Sequence, residues 1–103
     1  MADKSVKEIK DYVIHQILIA QGSYEMACIR YDNVGNKEDG YDMDTQEGDL
    51  YAHIGIWNFI TGEKWQETEE QKGLAQICQL MYEDDIDYFS WEMYQKYKDQ
   101  VKK

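Results

Sequence analysis

At 103 residues the chain has room for one domain with one modest core, and its 43 % hydrophobic and 14 % aromatic content is too high for a disordered acidic tail. The formal net charge of −10, from 21 acids against 11 bases, argues against direct binding of nucleic acid or an anionic membrane and favours basic partners or cations. Residues 1–37 are neutral overall, residues 38–92 hold fifteen acids against Lys64 and Lys72, and residues 93–103 turn net positive.

The first segment, SVKEIKDYVIHQILIAQG, predicts a helix. Ser5 and Glu8 have capping-box spacing, Val6, Ile9, Val13, Ile17 and Ala20 share one face, and Gly22 is the expected stop. Ile14, Leu18 and Ile19 widen the apolar arc, which puts this helix near the centre of the core. In SYEMACIRYDNVGN, Ser23 can cap a short helix ending at Asn33 to Gly35, although Tyr24, Met26, Cys28 and Arg30 also alternate as a strand would. Helix is preferred there.

KEDGYDMDTQEGD has two glycines and six acids and predicts a loop, the boundary between a neutral first half and an acidic second half. LYAHIGIWNFITGEKW supports two readings. Asp49 can cap a helix that carries Leu50, Ile54 and Trp57 and ends at Gly62, or the segment can form a hairpin turning at Thr61-Gly62. TEEQKGLAQICQLMY predicts a helix capped by Thr68, with Glu69, Glu70 and Gln71 in its first turn and Leu74, Ile77, Cys78 and Met81 on its buried face. Asp84 or Asp85 is then expected to cap a last helix with Ile86, Phe89, Met93, Tyr97 and Val101 on one stripe, and with Lys98, Lys102 and Lys103 at its negative end. The expected fold is mainly α: a compact single domain, residues 1–103, of four to five helices, with a small β-hairpin around 50–66 as the α+β alternative.

On that last helix, steps of about 100° per residue set Asp87, Tyr88, Trp91, Glu92, Gln95 and Asp99 opposite the apolar stripe, which leaves two aromatic rings beside carboxylates on the wet face. Such a mixture is an interface composition, because Tyr and Trp bury large area at low rotamer cost. The plain alternative is that another helix covers both rings. The acid runs themselves can serve as helix caps and solubilising charge. Capping does not explain why opposing bases are so scarce from 38 to 92, where like-charge repulsion opposes folding.

Carboxylates four residues apart on a helix stand about 6 Å apart along its axis, a distance comparable to phosphate spacing on a nucleic-acid strand. Rows of them can fill a Lys/Arg groove built for DNA or RNA. On KEDGYDMDTQEGD and YEDDIDYFSWEMY, over its acidic middle half, the chain resembles the small DNA-mimic inhibitors that phages deploy against restriction and CRISPR nucleases. The resemblance implies a cytoplasmic inhibitor with a basic, nucleic-acid-binding protein or nuclease as partner. The neutral first helix and net-positive tail depart from a mimic charged all round and leave room for one acidic face. The expected contact residues are Asp84, Asp85, Asp87, Tyr88, Trp91 and Glu92, then Asp42, Asp44, Glu47 and Asp49.

Other chemistry finds little support. From Asp42, an EF-hand would need glycine at Glu47 and glutamate at His53, so no metal site is expected. Phosphate-binding glycine loops are missing, and no cofactor is expected. Cys28 and Cys78 form no CxxC pair, the first residues do not read as a signal segment, and VIHQILIA is too short to span a bilayer. A cytoplasmic protein with reduced thiols is expected. His15 falls opposite the buried stripe, and Cys78 reads as a small core residue. Two other functions compete with the inhibitor: a homodimeric helical module whose acids only solubilise it, and a small enzyme using carboxylates and His53.

Overall fold

The computed structural model describes residues 5–101, which form four helices: α1 (Val6–Val34), α2 (Lys37–Thr61), α3 (Glu69–Glu83) and α4 (Trp91–Val101). No strand occurs among the described residues, so the hairpin alternative at 50–66 is not realised. α1 and α2 form an antiparallel helical hairpin, α3 packs on α1, and α4 on α3. The longest dimension, 45 Å, is that of α1 itself, about 43 Å at its usual rise. Among the described residues, no helix is long and apolar enough to cross a membrane. The Val101 side chain, Lys102 and Lys103 lie outside the described residues.

Ser5 caps α1 by accepting from the Glu8 amide at 3.1 Å, and its hydroxyl donates to the Glu8 carboxylate. The helix does not stop at Gly22. It continues to Val34, and Gly35, at φ 72, closes it by donating to the Tyr31 carbonyl. Gly22 is buried, and a Cβ there would sit 2.4 Å from the Phe89 ring. Its carbonyl also accepts from the Cys78 thiol at 3.5 Å. This glycine is therefore a socket for later elements, not a punctuation mark. Residues 24–32 are helical as preferred, but as the second half of α1 and not as a separate helix, so Ser23 is mid-helix and caps nothing.

The wide apolar arc of α1 has two partners. Val13, Ile17 and Ala20 meet Leu50 of α2, with Ile54, Trp57 and Trp65 around them. Leu18 and Met26 join Leu74, Ile77, Cys78, Met81 and Tyr94, contributed by α3 and α4. The expected face of α3 is thus buried in full.

The largest correction concerns residues 37–49, expected as a loop, which form the first half of α2. Asn36 caps that helix by accepting from the Glu38 amide, and Glu38 and Asp39 meet the positive end of its dipole. Gly40 gives room to the Tyr31 ring, 3.1 Å from where its Cβ would lie. Asp49 is consequently mid-helix and caps nothing. Gly62, at φ 70, ends α2 where the helical reading put it. The apolar residues on both strand parities belong to two helix faces, one against α1 and one outside.

After α2 the chain is pinned by tryptophan. The Trp65 amide donates to the Asn58 side chain at 2.6 Å, its indole donates to Gln71 at 3.0 Å, and its ring meets Trp57 edge-on with centroids 5.1 Å apart. Gln71, only 4 % exposed, also accepts from the Thr68 amide and completes a capping box at the start of α3.

Asp84 and Asp85 end α3; they do not begin α4. Asp85, at φ 65, donates to the Tyr82 carbonyl, and the Ile86 amide donates to the Met81 carbonyl at 2.9 Å. That is a Schellman closure with aspartate in the position glycine prefers, and Ile86 packs against the core beyond it. Ser90 is the true cap of α4, its hydroxyl accepting from the Met93 amide at 3.2 Å. Ile86, Asp87, Tyr88 and Phe89 therefore lie in an irregular connection and share no helical stripe with Met93 and Tyr97.

Candidate functional site

The two acid-rich segments, separate in sequence, are tied to one base, the first by its carboxylates and the second by a main-chain oxygen. Arg30 sits one turn before the end of α1, and the tight Gly35-Asn36 link folds the first turns of α2 back beside it. Its Nε donates to Asp39 at 3.1 Å and its Nη2 to Asp42. Its Nη1 donates to the main-chain oxygen of Asp87 in the α3–α4 connection. One guanidinium thus holds the 84–90 connection to the start of α2. Among the described residues, Arg30 is the only Lys or Arg in ion-pair contact with either run. Sequence reasoning missed it by counting it with the neutral first third. The available signal was a base placed to face Asp39 and Asp42 across a short helical turn.

The expected contact residues divide accordingly. Asp42 is half-buried, paired with Arg30, and accepts from Gln46. Asp87 is exposed and meets the same guanidinium through its main-chain oxygen. Asp84 and Asp85 are exposed beside it, and the Tyr97 hydroxyl donates to Asp84 at 2.7 Å. Tyr88 is 55 % exposed, a free aromatic surface next to these carboxylates. Asp44 and Asp49 are exposed on α2, whereas Glu47 turns in toward Tyr24 and Cys28 of α1. Glu92 is exposed on α4.

Trp91 departs from the wet face expected of it. It is half-buried, stacks edge-on against His15 with centroids 4.3 Å apart, and packs on Tyr94 at 5.0 Å. His15 is half-buried for the same reason, not solvent-exposed. Both expectations placed the rings on ideal helix wheels; the first turn of α4 lies against α1, so that Trp91 covers His15 and each ring half-buries the other.

The thiols are poorly set for nucleophilic work. Burial pushes Cys78 up to about 12. Burial also raises Cys28, against the opposing hydrogen bond from Tyr24. The Tyr24 hydroxyl, bonded to the Cys28 sulfur, is itself pushed up to about 12. His53 is half-buried, with Nδ1 2.8 Å from the Asp49 main-chain oxygen. Among the described residues no group of three or more His, Cys, Asp or Glu side chains is arranged to hold a metal ion. What the corner offers chemically is uncompensated negative potential beside an exposed tyrosine.

No protein-family model matches the chain, and neither a curated protein nor a solved structure matches it.

Proposed function

We propose that the chain is a cytoplasmic binding protein whose acidic corner occupies a basic groove on a protein partner, a groove of the kind built to hold nucleic acid. One observation carries this: Arg30 pairs with two carboxylates of the first acid run and holds the second run by the main-chain oxygen of Asp87, so among the described residues its single positive charge is in ion-pair contact with only Asp39 and Asp42. Repulsion among the other acids opposes folding, and a cationic cleft that relieves it gains affinity from the relief. Asp84, Asp85 and Asp87 supply the charge, and Tyr88 supplies apolar area that salt does not screen. The likeness in charge to phage DNA-mimic inhibitors makes bacterial defence nucleases the first partners to test. Trp91 acts as a core anchor behind this surface, and binding, not catalysis, is the activity.

The test is affinity capture from bacterial lysate on immobilised protein at about 50 mM and about 500 mM salt, followed by elution with duplex DNA. A nucleic-acid-binding protein retained at low salt and displaced by DNA is expected. Retention of no basic protein at low salt would remove the proposal.

A further inference from the structure

α2 uses only one of its faces within the chain. α1 covers the side bearing Met43, Leu50, Ile54 and Trp57, and neither α3 nor α4 packs along the helix. The opposite face carries Tyr41, Thr45, Gly48, Ala52, Gly55 and Phe59, all exposed and spaced alternately four and three residues apart. That is the spacing of a helix–helix seam. Phe59 is 88 % exposed and Tyr41 69 %, with Tyr51 and Ile56 exposed beside them. A Cβ at Gly48 or Gly55 would meet nothing within 4 Å, so packing inside one chain explains neither glycine. Glycine in mid-helix permits the close approach of a second backbone.

The seam is also its own complement. Read backwards it has the same spacing, and it pairs Tyr41 with Phe59, Thr45 with Gly55 and Gly48 with Ala52. We propose that the outer face of α2 docks antiparallel on the same face of a second copy of this chain, about a two-fold axis near residue 50. The palindromic spacing selects the occupant, and charge selects the direction. A parallel pair would stack the acidic half, 38–49, on itself. An antiparallel pair sets it against residues 50–61, which carry no carboxylate, and brings Lys37 opposite the second copy's Glu63. Phe59 then meets Tyr41 of the second copy beside a crevice lined by Tyr31, Lys37, Gly40, Tyr41, Met43 and Asp44. A seam of this length covers on the order of 500 Å² per copy, the low end for specific contacts, so a weak, concentration-dependent dimer is expected. The seam shares the start of α2 with the first acid run but includes none of Asp84, Asp85, Asp87 and Tyr88, so either proposal can fail without the other.

Sedimentation equilibrium of the purified chain between about 1 and 300 µM tests it. The apparent mass of the wild type is expected to rise toward twice that of the monomer. Phe59→Asp, at a position free in the monomer, is expected to weaken association at least about tenfold while the helical circular dichroism is unchanged. Gly48→Leu separates seam from stability: it is expected to raise the melting temperature of dilute protein and still weaken association. Lys37→Glu is expected to weaken association and Lys37→Glu with Glu63→Lys to restore it. A wild type that stays monomeric throughout, or a Phe59→Asp variant that associates as well as wild type, would overturn the proposal.

Discussion

Glycine has opposite meanings at two positions in this chain. At Gly22 an added methyl would collide with Phe89, so Gly22→Ala is expected to cost about 1–3 kcal/mol despite alanine's better helix propensity. At Gly48 the space is open, and Gly48→Ala is expected to stabilise the monomer by about 0.5–1 kcal/mol. Urea unfolding of both variants in dilute solution checks the contrast. Arg30 is the other residue on which much depends. Arg30→Met strands Asp39 and Asp42 beside each other and is expected to cost roughly 1–3 kcal/mol, discounted for partial exposure. Protons tell a consistent story. Tyr24 and Cys78 are pushed up to about 12, and Cys28, Tyr94 and Tyr97 are also raised, Tyr97 by its hydrogen bond to Asp84. Each group holds its proton more tightly in the folded chain, so the unfolded chain releases protons first. The stability they contribute is full below the unfolded values, which begin at about 8.5, and is lost as pH climbs through the folded ones. Melting temperature is therefore expected to hold from neutral pH to about 8.5 and fall above it, whereas stability unchanged to pH 11 would contradict this.

At the scale of elements, the caps decide what the residue pattern leaves open. Asp85 closes α3 in a left-handed conformation that suits glycine better, so Asp85→Gly is expected to stabilise by about 0.5–1 kcal/mol. Ser90→Ala should cost about 1 kcal/mol by removing the cap of α4, and thermal melts of the pair check both. The same caps explain what was legible in the sequence. α3 was readable throughout, since Thr68, Gln71 and the face from Leu74 to Met81 serve one helix with one buried side. α1 was readable to Gly22 and then lost, because the reason for that glycine is a phenylalanine sixty-seven positions away. The acidic first half of α2 read as loop because its glycines and aspartates are turn formers. Their helical state comes from Asn36, Arg30 and the face of α1, which local pattern does not contain. At the acidic corner, the composition of both runs was legible and their meeting was not, since Asp84 and Asp85 can cap either neighbouring helix.

Across the whole molecule, the uneven charge becomes an uneven shape. The nearly neutral first helix runs the length of the body, while Arg30 joins the carboxylates at the start of α2 to the main chain of the acidic α3–α4 connection. Repulsion within that corner is screened by salt over a Debye length of about 10 Å at 0.1 M. Raising sodium chloride from about 0.02 to 0.5 M is accordingly expected to raise the melting temperature by a few degrees. Neutralising Asp84, Asp85 and Asp87 together should remove much of that dependence, as salt titrations of the two proteins will reveal. The most direct measurement compares low-salt capture of basic proteins by three forms of the chain: wild type, the Asp84→Asn, Asp85→Asn, Asp87→Asn triple, and a control with Glu69→Gln and Glu70→Gln at the start of α3. Loss of the DNA-displaceable partner in the triple, with capture by the control intact, is the expected result. Equal capture by all three would contradict the acidic corner as the contact surface.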